Sequence, residues 1–183
     1  IDKCIQSCKK IDNNIEVILA TSNLKEDMEL KKVATFNKVK FVCGDPNDVV
    51  KRYLLACRRF KIDVVLRVTG DCPYISKEIS NYLLKKHFET GADFTEAKSM
   101  PIGAGCQIIN VEALKRVISY NKKALLSEYM NIYFTNNQNL FKINSVDLPS
   151  WMIRDYRLTV DYHQDIIFFK KIYSFFNKEK KIF

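Results

Sequence analysis

Short apolar runs alternate along the chain with stretches in which apolar residues recur every three or four positions, the pattern of strand–helix units wrapped around a sheet. The run EVILA (16–20) predicts a buried strand that ends in the polar Thr21-Ser22-Asn23, and 24–36 follows with helical spacing. A second short strand is predicted at 40–43, then a Gly44-Asp45-Pro46-Asn47 turn in which Asp45 or Asn47 can cap a helix over 48–60. The most strand-like segment is DVVLRV (63–68), an almost continuous apolar run that suits a central strand covered on both faces. Ser76 is placed to cap a helix reaching about residue 87, with Ile79, Leu83 and Leu84 inward. Further strands are predicted at 92–97, 106–110, 140–146 and 156–161, and helices at 111–119, 124–135 and 163–176. No repeat, linker or low-complexity segment interrupts the pattern.

Length and composition narrow the class. The 183 residues, 47% apolar and 28% charged, suit one globular domain, 1–183, and exclude disorder and fibrous repeats. No apolar run reaches the ~18 residues of a membrane-spanning helix, so no membrane partner is expected. Six cysteines without zinc-finger spacing suggest free thiols in a reducing, cytoplasmic setting. The net charge of +9 favours anionic ligands. Its basic residues are 23 Lys against 7 Arg, scattered in short pairs, which argues against a nucleic-acid partner.

Two aspartates close strand-like runs: Asp71 in RVTGDCPYI and Asp161 in YRLTVDYHQD. Functional groups of open α/β sheets gather just beyond the carboxyl ends of strands, so both are expected at one edge of one sheet. Two carboxylates brought together repel unless a cation lies between them, and Mg²⁺ commonly takes one or two carboxylates plus waters and phosphates. An aspartate after a strand can equally serve as a helix cap or turn residue.

The ordered blocks GDPNDVVKRY (44–53), DVVLRVTGDCPYI (63–75), PIGAGCQIIN (101–110), Ser127-Glu128-Tyr129 and RLTVDYHQD (157–165) resemble the cytidylyltransferase family. The nearest branch is that of spore-coat polysaccharide biosynthesis proteins, related to acylneuraminate cytidylyltransferases and CMP-Kdo synthetases. The resemblance implies an α/β, Rossmann-like nucleotide-diphospho-sugar transferase fold: a mostly parallel mixed sheet with helices on both faces. It also implies Mg²⁺-dependent coupling of CTP to a sugar, with release of pyrophosphate, for a surface polysaccharide. Carried over by position, Asp71 and Asp161 become the catalytic, metal-binding carboxylates. Arg52, Thr69 and Gly70 fall in the nucleotide half; Arg52 could meet phosphate or a structural carboxylate such as Asp48. Gly103 and Gly105 could line a sugar pocket or belong to an ordinary turn, and Arg157 could face the substrate or form a surface ion pair. A homodimer is compatible with this reading.

Two departures from the family pattern stand out. The Gly/Ser/Arg/Lys nucleotide loop that follows the family's first strand has no equivalent before the helix with which this chain opens. About two to three dozen amino-terminal residues, carrying that strand and loop, are therefore expected to be missing, and the chain as given is expected to bind and turn over CTP poorly. Tyr129 stands where many relatives have histidine, so no histidine role carries over. Two other classes remain: a glycosyltransferase of the same fold, whose DxD pair would have to be Asp45-Pro46-Asn47, and a non-catalytic remnant or nucleic-acid-binding domain.

Overall fold

The computed structural model describes residues 1–121 and 129–178. The chain opens with helix α1 (Asp2–Lys9), followed by β1 (Ile18–Ser22), a 3₁₀ turn (Glu26–Glu29), α2 (Leu30–Phe36) and β2 (Lys40–Gly44). Next come α3 (Val49–Phe60), β3 (Val64–Arg67), α4 (Lys77–Thr90), β4 (Phe94–Ala97), β5 (Gln107–Asn110) and α5 (Val111–Tyr120). A short α6 (Ile132–Thr135), β6 (Ile143–Val146) and α7 (His163–Lys178) complete the order. Part of the helix expected over 124–135 lies outside the described residues.

The strands form two sheets. β1 pairs in parallel with β2, and a four-stranded mixed sheet runs β3-β5-β4-β6, antiparallel at its first two pairings and parallel at the last. Alternation along β5 shows how the helices cover both faces. Ile109 packs with Val50 of α3 and Leu114 and Val117 of α5, whereas its neighbour Ile108 packs with Ile79 and Leu83 of α4. The first cluster is closed by Phe94 stacked on Phe134 at 4.7 Å between ring centres.

Local chemistry sets the helix ends. Asp48, not Asp45 or Asn47, caps α3 by accepting the Lys51 amide at 2.9 Å. Asp45 is occupied one step earlier, accepting the amides of Asn47 and Asp48 at 2.7 and 3.1 Å. Ser76 caps α4 as expected, and Gly91, in the left-handed region at φ 60°, ends it.

The strand expected at 156–161 does not form. Ile102 and Arg157 make an isolated parallel bridge, Leu158 donates to the Ile102 carbonyl at 2.7 Å, and Val160 donates to the Asp71 carbonyl at 2.9 Å. A segment whose amides turn to two different loops cannot propagate a ladder. It straps the 101–105 loop and the Asp71 turn together instead.

Candidate active site

β3 feeds directly into a turn closed by the Cys72 amide on the Thr69 carbonyl at 3.2 Å, which lifts Asp71 out of the sheet edge. The Thr69 hydroxyl meets the Cys72 thiol at 3.2 Å, and that thiol donates to Asp71 Oδ1 at 3.7 Å. Gly70 permits a close approach, because a Cβ there would lie 2.5 Å from Cδ1 of Ile1 at the start of α1. The strap brings Thr159 to the same point. Its buried hydroxyl lies 3.1 Å from Asp71 Oδ2 and 3.3 Å from Asp161 Oδ1.

One hydroxyl thus stands between two carboxylates. It carries a single proton and can donate to only one of them. The other contact sets oxygen lone pairs against each other unless a proton or cation intervenes. Burial pushes the Asp71 carboxyl up, but hydrogen bonds from Thr69, its own backbone, Thr159 and Cys72 together outweigh burial and leave it below the usual carboxylate range.

Arg157 holds the far side of Asp161. Its guanidinium pairs with Asp161 Oδ2 and, at 2.6 Å, with Asp165 Oδ1. Asp165 also accepts the amides of Asp161 and Tyr162 at 2.9 and 2.8 Å, which anchors the strap to the first turn of α7. The Arg157 bond, followed by these two amides, pulls the Asp165 carboxyl down to about 2. Asp161 is left with Oδ2 on the guanidinium and Oδ1 toward Thr159 and Asp71.

The remaining candidates divide. Thr69 and Gly70 belong to the Asp71 turn. Gly103, at φ 79°, lies where a Cβ would sit 2.6 Å from the Leu158 carbonyl, so it lets the 101–105 loop press against the strap. Gly105 is covered by Met100, whose sulfur lies 2.2 Å from where a Cβ would be. Arg52 forms a separate group: it donates to the Asp45 carbonyl at 2.9 Å, while Asp48 pairs with Lys51 at 3.0 Å. Arg52 is therefore not paired with Asp48, and the structural role it plays is to brace the turn after β2. With Asp45 engaged by backbone amides, Asp45-Pro46-Asn47 is a turn and not a DxD pair. Ser127 and Glu128 lie outside the described residues; Tyr129 is exposed.

Among the described residues no three His, Cys, Asp or Glu side chains converge on a point. Two oxygen donors flanking one hydroxyl nevertheless fit a hard divalent ion, which completes its shell with water and phosphate. Neither Thr159 nor Asp165 is assigned a role by the sequence alone. Asp165 had a usable signal, an acid in the first turn of the closing helix.

The cytidylyltransferase family model matches residues 1–181. This chain belongs to the cytidylyltransferase family. Cytidylyltransferases are nucleotidyltransferases, and this one is 28% identical, over 96% of its length and 75% of the relative's, to an uncharacterized protein of Methanocaldococcus jannaschii. It is 24% identical to the spore coat polysaccharide biosynthesis protein SpsF of Bacillus subtilis, across 86% of this chain and 67% of that one. Its fold superposes with a TM-score of 0.85 on a cytidylyltransferase from Leptospira borgpetersenii, at 24% identity and covering 96% of this chain and 75% of that one. The CTP complex of CMP:2-keto-3-deoxy-manno-octonic acid synthetase gives 0.66 at 10% identity, covering 98% and 88%. The Rossmann-like α/β architecture of this cytidylyltransferase is thus that of its solved neighbours.

Proposed function

We propose that this chain is a Mg²⁺-dependent cytidylyltransferase that couples CTP to a sugar, giving a CMP-sugar and pyrophosphate for surface polysaccharide synthesis. The observation that carries this reading is the meeting of Asp71 and Asp161 across the Thr159 hydroxyl at the end of β3. A sugar hydroxyl oxygen forms a bond to the α-phosphorus, the bond from that phosphorus to the bridging oxygen breaks, and pyrophosphate leaves with the electron pair. The hydroxyl proton passes to solvent. A divalent ion held by Asp71 and Asp161 would offset charge on the phosphoryl oxygens and the leaving group. Thr159 fixes the spacing of the two carboxylates, and Arg157 orients Asp161 through its ion pair.

Thr69 and Gly70 would bring backbone close to the nucleotide, Arg52 would contribute on its phosphate side, and Gly103, Gly105 and Arg157 would border the sugar. SpsF supports the polysaccharide assignment and the CTP-bound synthetase supports the nucleotide. The exposed Trp151, Tyr156, Tyr162 and Phe168 favour a second copy as a partner through the carboxyl-terminal face. Among the described residues no helix is long and apolar enough to cross a membrane, and we place the enzyme in the cytoplasm.

The test, on a full-length version that carries the strand and nucleotide loop of the family pattern, is CTP-dependent pyrophosphate release with Mg²⁺ and a panel of hexoses and sugar acids. Asp71→Asn is expected to lower it by orders of magnitude without unfolding the chain, since the change is nearly isosteric. Release at an undiminished rate in that variant refutes the assignment.

A further inference from the structure

Helix α1 grips the turn that carries Asp71. The Cys4 thiol donates to the Thr69 carbonyl at 3.6 Å, on the amino side of Asp71, and the Ser7 hydroxyl donates to the Pro73 carbonyl at 2.8 Å, on its carboxyl side. Positions three and four apart lie on one face of a helix, so Cys4, Ser7 and Cys8 share the face that meets this turn. Cys8 packs against the cluster of Ile11, Cys72 and Ile75, and Cys72 directly follows Asp71. Both α1 cysteines are free thiols, Cys4 buried and Cys8 half-buried.

The two thiols have different chemical parts. They hydrogen-bond to each other, and that bond pushes the Cys4 thiol up and holds Cys8 below the ordinary thiol value, although burial raises both. Cys4 therefore keeps the proton and Cys8 is the sulfur on which a thiolate develops. Cys8 is also the less covered of the two, whereas Cys72 is buried with its thiol engaged between the Thr69 hydroxyl and Asp71. Helix geometry permits a Cys4–Cys8 bond and loads it. Residues four apart have Cα atoms about 6 Å apart, inside the usual disulfide range of roughly 4.4–6.8 Å. Their Cβ atoms lie about 5–6 Å apart, while a disulfide needs roughly 3.5–4.5 Å, so the helical turn must tighten by about 1 Å. A bond closed under such strain is readily reduced again. Closing it removes the Cys4 proton, and the Thr69 carbonyl loses that donor.

We propose that Cys4 and Cys8 are a redox modification site: hydrogen peroxide closes a reversible disulfide within α1, which releases the amino side of the Asp71 turn. The Cys8 thiolate attacks one peroxide oxygen, the O–O bond breaks, and the departing hydroxide takes a proton to leave as water, giving Cys8 sulfenic acid. Cys4 gives up its proton and attacks the Cys8 sulfur; the S–S bond forms, the S–O bond breaks and a second water leaves. Two thiols and one peroxide thus become one disulfide and two waters, and a dithiol reductant reverses the change. The bond and the loosening of the turn do not depend on CTP use; only the consequence for a bound ion rests on the role proposed for Asp71.

The experiment treats the chain with hydrogen peroxide, alkylates the remaining thiols with iodoacetamide and digests with trypsin. Lys3 and Lys9 flank the pair, so one peptide, 4–9, carries both cysteines. After peroxide that peptide is expected to lack two hydrogens and both alkyl groups; with dithiothreitol added before iodoacetamide it should be doubly alkylated. Amide hydrogen exchange at Cys72, whose N–H closes the turn on the Thr69 carbonyl, should be faster in the oxidised chain by about threefold or more. Cys4→Ser keeps a hydroxyl donor for Thr69 and cannot be crosslinked, so peroxide should leave its Cys72 exchange unchanged. The amides of Ile108 and Ile109, in the middle of the mixed sheet, report in the same spectra that the fold is intact. A disulfide from either cysteine to Cys72, to Cys106 or to a second chain overturns the proposal. So do a peptide 4–9 that stays alkylatable at Cys4, a bond that dithiothreitol leaves closed, unchanged Cys72 exchange on oxidation, and loss of protection at Ile108 and Ile109. None of these readouts uses a metal ion or CTP, so failure of the disulfide and failure of the proposed reaction are told apart.

Discussion

Thr159→Val isolates the hydroxyl between the two carboxylates while keeping the volume of a buried side chain. In wild type that hydroxyl lies 3.1 Å from Asp71 and 3.3 Å from Asp161. A hydrogen bond to a charged group contributes about 1.5–3 kcal/mol when shielded from water. Asp71 and Asp161 are exposed, so water replaces much of what is lost, and we expect a stability decrease of about 0.5–1 kcal/mol. For a domain of this size that lowers Tm by roughly 1–4 °C. The Asp71 titration should move up, because one of the bonds that hold it below the usual range is gone.

The sign of the pH dependence follows. Asp71 has a folded value below its unfolded value, so its contribution is complete above the ordinary carboxylate range near 3.8 and fades as pH falls through the lower folded value. The Tm gap between wild type and Thr159→Val should therefore be full at neutral pH and close under acid. Mn²⁺ as a paramagnetic probe tests the carboxylates' second duty: affinity should fall by about three- to tenfold, or about 0.7–1.4 kcal/mol. Thr159→Ser should restore both properties. A valine variant with wild-type melting, Asp71 titration and Mn²⁺ affinity refutes the bridging role.

Four further outcomes are expected. The Asp165 carboxyl should titrate near 2 by carbon NMR and move up in Arg157→Ala while staying below the ordinary range, because the Asp161 and Tyr162 amides remain; a wild-type midpoint near 3.8 contradicts the ion pair. Gly103→Ala combines a left-handed backbone with a Cβ 2.6 Å from the Leu158 carbonyl and should cost about 2–4 kcal/mol in denaturant melts, against near-neutrality if the loop is free to move. Asp48→Ala removes the α3 cap and should cost about 0.5–2 kcal/mol, while Asp45→Ala should leave the helix capped. Burial lowers the value of the His87 imidazole from 6.5, so its favourable neutral state is complete above that pH, and stability should decline as pH drops below it; His87→Gln should flatten that part of the curve.

The elements with a clean period were legible in sequence: α3, α4 and the β3 run all appear close to their expected bounds, because one face or both are buried. Residues 156–161 were misread for a physical reason. Alternation of Arg157, Leu158, Thr159 and Val160 signals inward and outward positions, but says nothing about where the amides go. Here they go to Ile102 and Asp71, so the same alternation that suggests a strand produces a strap. Asp71 was legible because it follows an apolar strand at a turn. Its partner group was not, since the spacing of 88 residues between Asp71 and Thr159 carries no periodic signal. The choice of Asp48 over Asp45 and Asn47 as the α3 cap was equally hidden, because Asp and Asn both cap well. What decides it is that Asp45 already spends its carboxylate on the two amides of the turn, leaving Asp48 alone in reach of Lys51. The same turn fixes Arg52, which donates to the Asp45 carbonyl at 2.9 Å. Local competition for hydrogen bonds, and not residue preference, thus selects both the helix start and the position from which Arg52 would have to release its carbonyl to reach a phosphate.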